Sequence, residues 1–246
     1  MPKFFVKKED ISAGSVTING GDATHIAKVL RMEPGQHLTL CDGEGTDFDA
    51  VIESCTKEEV LLSVESSHPC PAEPNLSFVL FQGLPKQGKM DYIIEKCTEL
   101  GIKMIVPVAC DRSVAEIKNA QAEEKKLTRW RKIAAESVKQ CGRGIIPEVT
   151  GVMTVKEALV FAEKLSCTLA AYENERQLPL KEALPAQKPE SLGVFIGPEG
   201  GFSDKEISLF QASNVPTVTL GRRILRTETA GHTVLTAAMF HFDEME

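Results

Sequence analysis

Several features that would mark a membrane, secreted or redox protein are missing from this chain of 246 residues. It has no apolar run of about 18 residues, the length needed to cross a bilayer, and its first residues lack the apolar core of a secretory leader. None of its 7 cysteines lies close enough to another to form a CxxC pair or a local zinc site. We therefore expect a cytoplasmic protein with reduced thiols, no membrane segment and no metal.

Lysine and arginine are too few to balance the acidic residues. The formal net charge is −7, which argues against indiscriminate binding of nucleic acid, because phosphate contacts need clustered cations. Most of this negative charge lies in residues 1–72, which contain 6 Lys or Arg and 12 Asp or Glu. The rest of the chain is nearly neutral, so that its cations are able to form local basic patches.

A cluster of prolines divides the chain. Pro69, Pro71 and Pro74 fall within six residues and predict a linker, because proline disrupts both helices and sheet ladders. Before the linker, short apolar runs separated by Gly and Pro turns predict a small β-barrel with one helix at about 21–30. These runs span 4–6, 15–18, 37–40, 48–52 and 60–64. We therefore predict two domains, 1–72 and 73–246.

After the linker, predicted strands alternate with helical patterns, which is typical of an α/β fold with a parallel sheet. The predicted strands span 76–81, 102–108, 168–172, 192–196 and 217–220. A long polar helix at about 119–140 carries several cations. A solvated helix face is the favoured interpretation of these cations, and a contribution to RNA binding is the alternative.

Two loops follow the last two predicted strands. The first is Gly197-Pro198-Glu199-Gly200-Gly201, and the second lies within the segment 220–230. Since the carboxyl ends of parallel strands meet at one edge of a sheet, both loops predict a shared small-molecule site built largely from backbone. Ser203 and Glu206 predict a capping box for the helix after the first loop. Neither loop has the spacing of a dinucleotide fingerprint or a P-loop.

The segments 195–206 and 220–230 resemble the knot loops of the 16S ribosomal RNA uridine-N3 methyltransferases of the SPOUT superfamily. Shorter matches at 25–32, 42–45, 82–86, 97–101 and 112–114 extend the resemblance over nearly the whole chain. It implies a SPOUT-type α/β domain with a deep trefoil knot, preceded by a PUA-like β-barrel that docks RNA. It further implies S-adenosylmethionine as methyl donor, uridine 1498 of 16S rRNA, free or in the small ribosomal subunit, as target, and a homodimer.

Carried onto this sequence, the resemblance predicts a donor site formed by both loops and by the end of the preceding strand. The predicted donor-binding residues are Tyr172, Glu173, Gly197, Pro198, Gly200, Leu220, Gly221, Ile224, Leu225 and Thr229. RNA docking is expected to use the cations Lys3, Lys7, Lys8, Lys28, Arg31, Arg112 and Arg143.

Methylation of uridine N3 requires loss of the N3 proton. From its place in the second loop, we expect Arg226 to stabilise the charge that develops on the base. Glu228 is expected either to accept the proton or to orient Arg226. Glu199, His25 and His232 are left out of the predicted catalytic set.

Two other function classes remain open. The chain would be a non-catalytic RNA-binding adaptor if it failed to bind S-adenosylmethionine. It would be a small-molecule enzyme that uses a nucleotide phosphate if it preferred NAD or ATP.

Overall fold

The structure, a computed structural model, describes residues 2–11, 14–86, 88–114 and 119–245. The chain divides into two compact units, residues 1–73 with 138–146 and residues 74–137 with 147–246. No helix among the described residues is both long enough and apolar enough to cross a bilayer.

The first unit is built on a curled sheet of five strands. They are β1 (Lys3–Phe5), β2 (Ser15–Asn19), β3 (His37–Cys41), β4 (Thr46–Cys55) and β5 (Glu59–Pro69), in the order β1-β3-β4-β5-β2. Strand β1 is parallel to β3, and the other pairs are antiparallel. Two register shifts between β4 and β5 bend these long strands.

Alternate residues of these strands face one apolar core. Leu38, Leu40, Ile52 and Leu62 are buried there with Ile26, as the period-2 pattern of the sequence predicts. The predicted helix is present as α1 (Gly20–Thr24), which continues as a π-helical turn over His25–Leu30. A short 3-10 turn covers Lys8–Asp10.

The predicted linker at Pro69, Pro71 and Pro74 is wrong for its first proline, which lies in a strand. Strand β5 continues to Pro69, and Ser67 and His68 pair with Phe48 and Asp47 of β4. Strand β2 pairs only with residues 59–63 of β5, so the end of β5 has one neighbour. A proline without an N–H group is tolerated at the open side of such a strand.

Segment 138–146 belongs to the first unit, although the predicted ranges 1–72 and 73–246 place it in the second. Glu73 is the physical reason. Its carboxylate accepts the backbone N–H groups of Gly144 at 2.7 Å and Ile145 at 2.9 Å, and it pairs with Arg143 at 2.7 Å. The side chains of Arg143 and Glu73 are only 4% and 11% exposed. Such a buried ion pair is stable because its hydrogen-bonding groups are satisfied.

The second unit contains a parallel sheet. Its strands are β6 (Ser77–Gly83), β7 (Met104–Ala109), β8 (Glu148–Val149), β9 (Met153–Thr154), β10 (Cys167–Ala171), β11 (Ser191–Ile196) and β12 (Thr217–Val218). Their order is β12-β10-β11-β6-β7-β8, with β9 beside β7, and every pairing is parallel. The predicted α/β class is confirmed.

Helices cover both faces of this sheet. They are α2 (Lys89–Glu99), α3 (Ala120–Cys141), α4 (Val155–Ala162), α5 (Leu180–Ala183), α6 (Asp204–Ala212) and α7 (Thr227–His241). Successive residues of β6 point to opposite faces: Phe78 and Leu80 contribute to the core under α2, α3 and α7, and Phe81 to the core under α4 and α6. The exposed cations Arg129, Arg131 and Lys132 of α3 pair with carboxylates.

Candidate functional site

A cavity of about 700 Å³ lies at the carboxyl ends of β10, β11 and β12. Small-molecule sites occupy the same position and size range in other parallel α/β sheets. Its wall is formed by residues 171–173 and 176 after β10, by 196–201 after β11, and by 219–227 after β12, with additional residues before and at the start of α2. The two predicted loops therefore face one another across a single cavity.

The first loop depends on close approaches that only glycine permits. A Cβ atom on Gly83 would lie 2.6 Å from the backbone nitrogen of Pro198. Gly201 has a φ of +67°, and a Cβ atom there would collide with the carboxylate of Glu173. The loop leads into α6, where the predicted capping box between Ser203 and Glu206 is confirmed.

A buried hydroxyl joins the strand ends to the second loop. The Thr227 side chain, at the first residue of α7, donates to the carbonyl of Gly197 at 2.7 Å. It accepts a hydrogen bond of 2.9 Å from the amide nitrogen Nε2 of Gln82. Gln82 is 0% and Thr227 6% exposed, so these bonds act without competition from water.

An ion bridge connects α2 to both loops. The ammonium of Lys89 lies 2.9 Å from Glu199 and 2.9 Å from Glu228. The hydrogen bonds that its ammonium donates to these two carboxylates raise the pKa of Lys89. Burial is the largest single influence and raises the pKa of each glutamate, but the hydrogen bond from Lys89, backbone hydrogen bonds and the charge of Lys89 together outweigh it, and both pKa values are lowered. All three groups are therefore charged at neutral pH.

Most predicted donor-binding residues lie in the cavity wall. They are Tyr172, Glu173, Gly197, Pro198, Gly200, Leu220, Gly221, Ile224 and Leu225. Arg226 also lines the cavity, whereas Glu228 is connected to it through Lys89. Thr229 does not line the cavity and is left out of the site, because it lies on an exposed face of α7, whereas Thr227 and Ala230 of the same helix line the cavity.

Sequence reasoning missed three cations in the wall, Lys86, Lys89 and Arg176. Lys86 and Lys89 follow β6, so the rule that directed attention to the loops after β11 and β12 would have found them. With Arg222, Arg223 and Arg226 they give six lining cations against the carboxylates of Glu173 and Glu199. Such an excess attracts anions to the cavity mouth.

The predicted RNA-binding cations fall into two groups. Lys7, Lys8, Lys28, Arg31 and Arg112 are exposed. Lys3 and Arg143 are instead held inside the first unit, and the structure corrects their assignment. The ammonium of Lys3, with a side chain 13% exposed, lies 2.7 Å from Asp47, and Arg143 is paired with Glu73. Contact with phosphate would break both pairs, so the proposed RNA contacts exclude them.

No group of three or more His, Cys, Asp or Glu side chains suited to a metal ion occurs in the part of the chain that the structure describes.

Comparison with known proteins gives concordant matches. A family model described as an RNA methyltransferase domain matches residues 72–239, and one described as an RNA methyltransferase PUA domain matches residues 18–65. The ribosomal RNA small subunit methyltransferase E of Bacillus subtilis is 31% identical, covering 98% of this chain and 96% of its own.

Solved structures of similar proteins also match nearly the whole chain. Ribosomal RNA small subunit methyltransferase E from Neisseria gonorrhoeae, crystallised with S-adenosyl methionine, is 28% identical with a TM-score of 0.83 and 98% coverage of both chains. A Legionella pneumophila protein in complex with the bound cofactor SAM is 30% identical with a TM-score of 0.81 and 97% coverage of both.

Replacing Gly83 with alanine is expected to lower the free energy of unfolding by about 2 kcal/mol, because its Cβ would meet backbone that cannot easily move. Gly151→Ala is the matched control, since the nearest atom there is the end of the Glu123 side chain at 3.4 Å. The control is expected to change stability by less than about 0.5 kcal/mol. Urea unfolding followed by the fluorescence of the single Trp130 measures both variants. Equal stabilities would contradict the close packing of β6 against the first loop.

Proposed function

We propose the function from one premise, which is that this chain belongs to the RNA methyltransferase family of the ribosomal RNA small subunit methyltransferases E. The resemblance seen in the sequence is thereby confirmed. The chain transfers a methyl group from S-adenosylmethionine to N3 of a uridine, position 1498 of 16S rRNA, in the cytoplasm. The observation that carries the proposal is the cavity at the carboxyl edge of the sheet, which lies between a glycine-rich loop after β11 and an arginine-rich loop after β12.

The residues of the cavity fit this donor. Main-chain groups of 197–201 and 220–225 and the apolar side chains of Ile196, Leu220 and Leu225 suit an adenosine group. The carboxylate of Glu173 suits a cationic group. When bound, S-adenosylmethionine supplies a methyl group on a positively charged sulfur. The protein's task is to hold the uridine in line with that methyl group and to exclude water.

Arg226 is the residue best placed to stabilise the deprotonated base. Its guanidinium is exposed at the cavity and offers planar donors to the oxygens beside N3. Glu228 is a weak base because Lys89 lowers its pKa, and general bases work best with a pKa near the working pH. Glu228 contacts Lys89 and makes no ion pair or hydrogen bond with the Arg226 guanidinium among the described residues, so we assign it neither predicted role, and the N3 proton passes to bulk solvent.

The trefoil knot and the closure of the first sheet as a PUA-like barrel belong to the same proposal. Thr219 exchanges backbone hydrogen bonds with Leu178 and Leu180, and eight residues later Thr227 bonds to Gly197. The chain thus runs from the segment after β10 to the loop after β11, a course that supports threading. The match of residues 18–65 to a PUA domain supports the barrel.

Ribosomal RNA is the proposed substrate, either free or within the small subunit. The cations at the cavity mouth and the exposed Lys7, Lys8, Lys28, Arg31 and Arg112 are the proposed phosphate contacts. A homodimer is part of the proposal, and it is supported by the exposed Tyr92 on α2 and Phe240 on α7, with exposures of 49% and 76%.

Titration calorimetry is expected to show binding of S-adenosylmethionine and none of NAD or ATP. In cells that lack this protein, mass mapping of 16S rRNA should show the loss of one methyluridine, and the gene should restore it. An unchanged methylation pattern, or a preference for NAD or ATP, would overturn the proposal.

Substitution of the two loop residues tests the chemistry. Arg226→Lys keeps the charge but loses the planar donor pair, so single-turnover methylation is expected to slow by about tenfold or more. Glu228→Gln is expected to slow it only several-fold, since loss of a general base would cost about 100-fold or more. If both rates stayed within about threefold of wild type, neither residue would take part in the chemistry.

The cationic mouth predicts a salt-dependent affinity for RNA. Arg222→Gln and Arg223→Gln should each reduce the slope of log affinity against log salt by about one. The control is Lys156→Gln, because Lys156 is an exposed cation of α4 outside the cavity wall. Fluorescence anisotropy with a 16S rRNA fragment measures the slopes, and a flat salt response of the wild type would count against this docking surface.

A further inference from the structure

Lys89 differs from the other cations of the cavity. Its ammonium is in contact with two carboxylates, and its side chain is 26% exposed. Lys86, Arg176, Arg222, Arg223 and Arg226 are exposed. An ammonium held between two carboxylates is a poor contact for an incoming phosphate. The effect of Lys89 is therefore exerted on the two carboxylates that it contacts, those of Glu199 and Glu228.

The charges of Lys89 and Arg226 both act on Glu228, but only Lys89 contacts it. The ammonium of Lys89 lies 2.9 Å from the Glu228 carboxylate. Arg226, two residues earlier, lowers the pKa of Glu228 through its charge without contact. No ion pair or hydrogen bond of the Arg226 guanidinium occurs among the described residues. If Lys89 were absent, Arg226 would be the remaining cation whose charge acts on this partly buried carboxylate.

We propose that Lys89 is a positioning residue that neutralises Glu228 and thereby keeps the Arg226 guanidinium free for the nucleobase. This inference rests on the proposed methyl transfer, since it assigns to Lys89 the availability of the catalytic cation. A guanidinium already paired with a carboxylate has less capacity to stabilise new negative charge, because both anions compete for the same donors.

The first loop is also held by contacts that do not involve Lys89. The carboxylate of Glu199 also accepts the backbone N–H of Lys86, at 3.1 and 3.2 Å to its two oxygens. The hydroxyl of Thr227 holds Gly197 independently. Donor binding is therefore expected to persist when Lys89 loses its charge, and this separates the proposed role from a general structural one.

The test uses three variants of the full-length protein. Lys89→Met is expected to reduce kcat by about tenfold or more while the donor Kd changes by less than about twofold. Lys89→Arg should restore most of the activity, because it keeps a cation beside Glu228. Lys89→Met combined with Glu228→Gln should be faster than Lys89→Met alone, since the competing carboxylate has been removed.

Lys96→Met is the matched control. Lys96 belongs to the same helix and contacts Glu95 at 2.8 Å and Glu99 at 2.7 Å, but it does not line the cavity. This variant should retain wild-type kcat and donor Kd. Thermal unfolding and light scattering of every variant would show whether stability or oligomeric state has changed.

A crystal structure of Lys89→Met gives a second readout that does not depend on activity, and it is expected to show Arg226 in contact with Glu228. The proposal is overturned if Arg226 still faces the cavity there, if donor affinity and kcat fall together, or if the double variant is no faster than Lys89→Met. If the wild type fails to bind S-adenosylmethionine, the proposed function fails instead, and the crystal structure still decides whether Lys89 keeps the two residues apart.

Discussion

The hydroxyl of Thr227 holds together the chain segments on which the cavity depends. It links Gln82 at the end of β6, Gly197 at the end of β11 and the start of α7, although Gln82 lies 145 positions away in the sequence. Loss of either buried bond would leave an unsatisfied polar group, which typically costs about 1–3 kcal/mol. The two loops keep their separation because a rigid sheet edge and this hydroxyl fix their ends.

Groups of both charges line the cavity. Carboxylates of Glu173 and Glu199 lie in the wall, and most of the lining cations are exposed. This arrangement suits a small cationic donor that is held inside and a polyanion that approaches from outside. It also explains how a chain with a net charge of −7 presents a basic surface, since the acidic excess lies largely in residues 1–72.

Local patterns in the sequence predicted the parts of the fold that depend on local physics. The alternating apolar runs became strands, and the glycines after β11 and β12 lead into one cavity. The position of Lys89 after β6 could have been read from the sequence, but its ion pairs could not, because Glu199 and Glu228 come from distant segments. Lys3 and Arg143 were taken for surface cations because a charged residue in a sequence carries no sign of burial, and each is held by a carboxylate. Thr229 was assigned to the donor site by the resemblance alone, and a sequence match does not show which face of α7 lines the cavity.

The discontinuous first unit has a consequence for synthesis of the chain. A nascent polypeptide leaves the ribosome from its N-terminus, and domains made early generally fold early. Here the carboxylate of Glu73 receives its partners only when Arg143, Gly144 and Ile145 have been translated. The first unit therefore lacks these contacts until more than half of the polypeptide has emerged, although all five strands of its sheet lie within residues 3–69. Completion of the first unit thus requires prior translation of residues 74–137, which belong to the second.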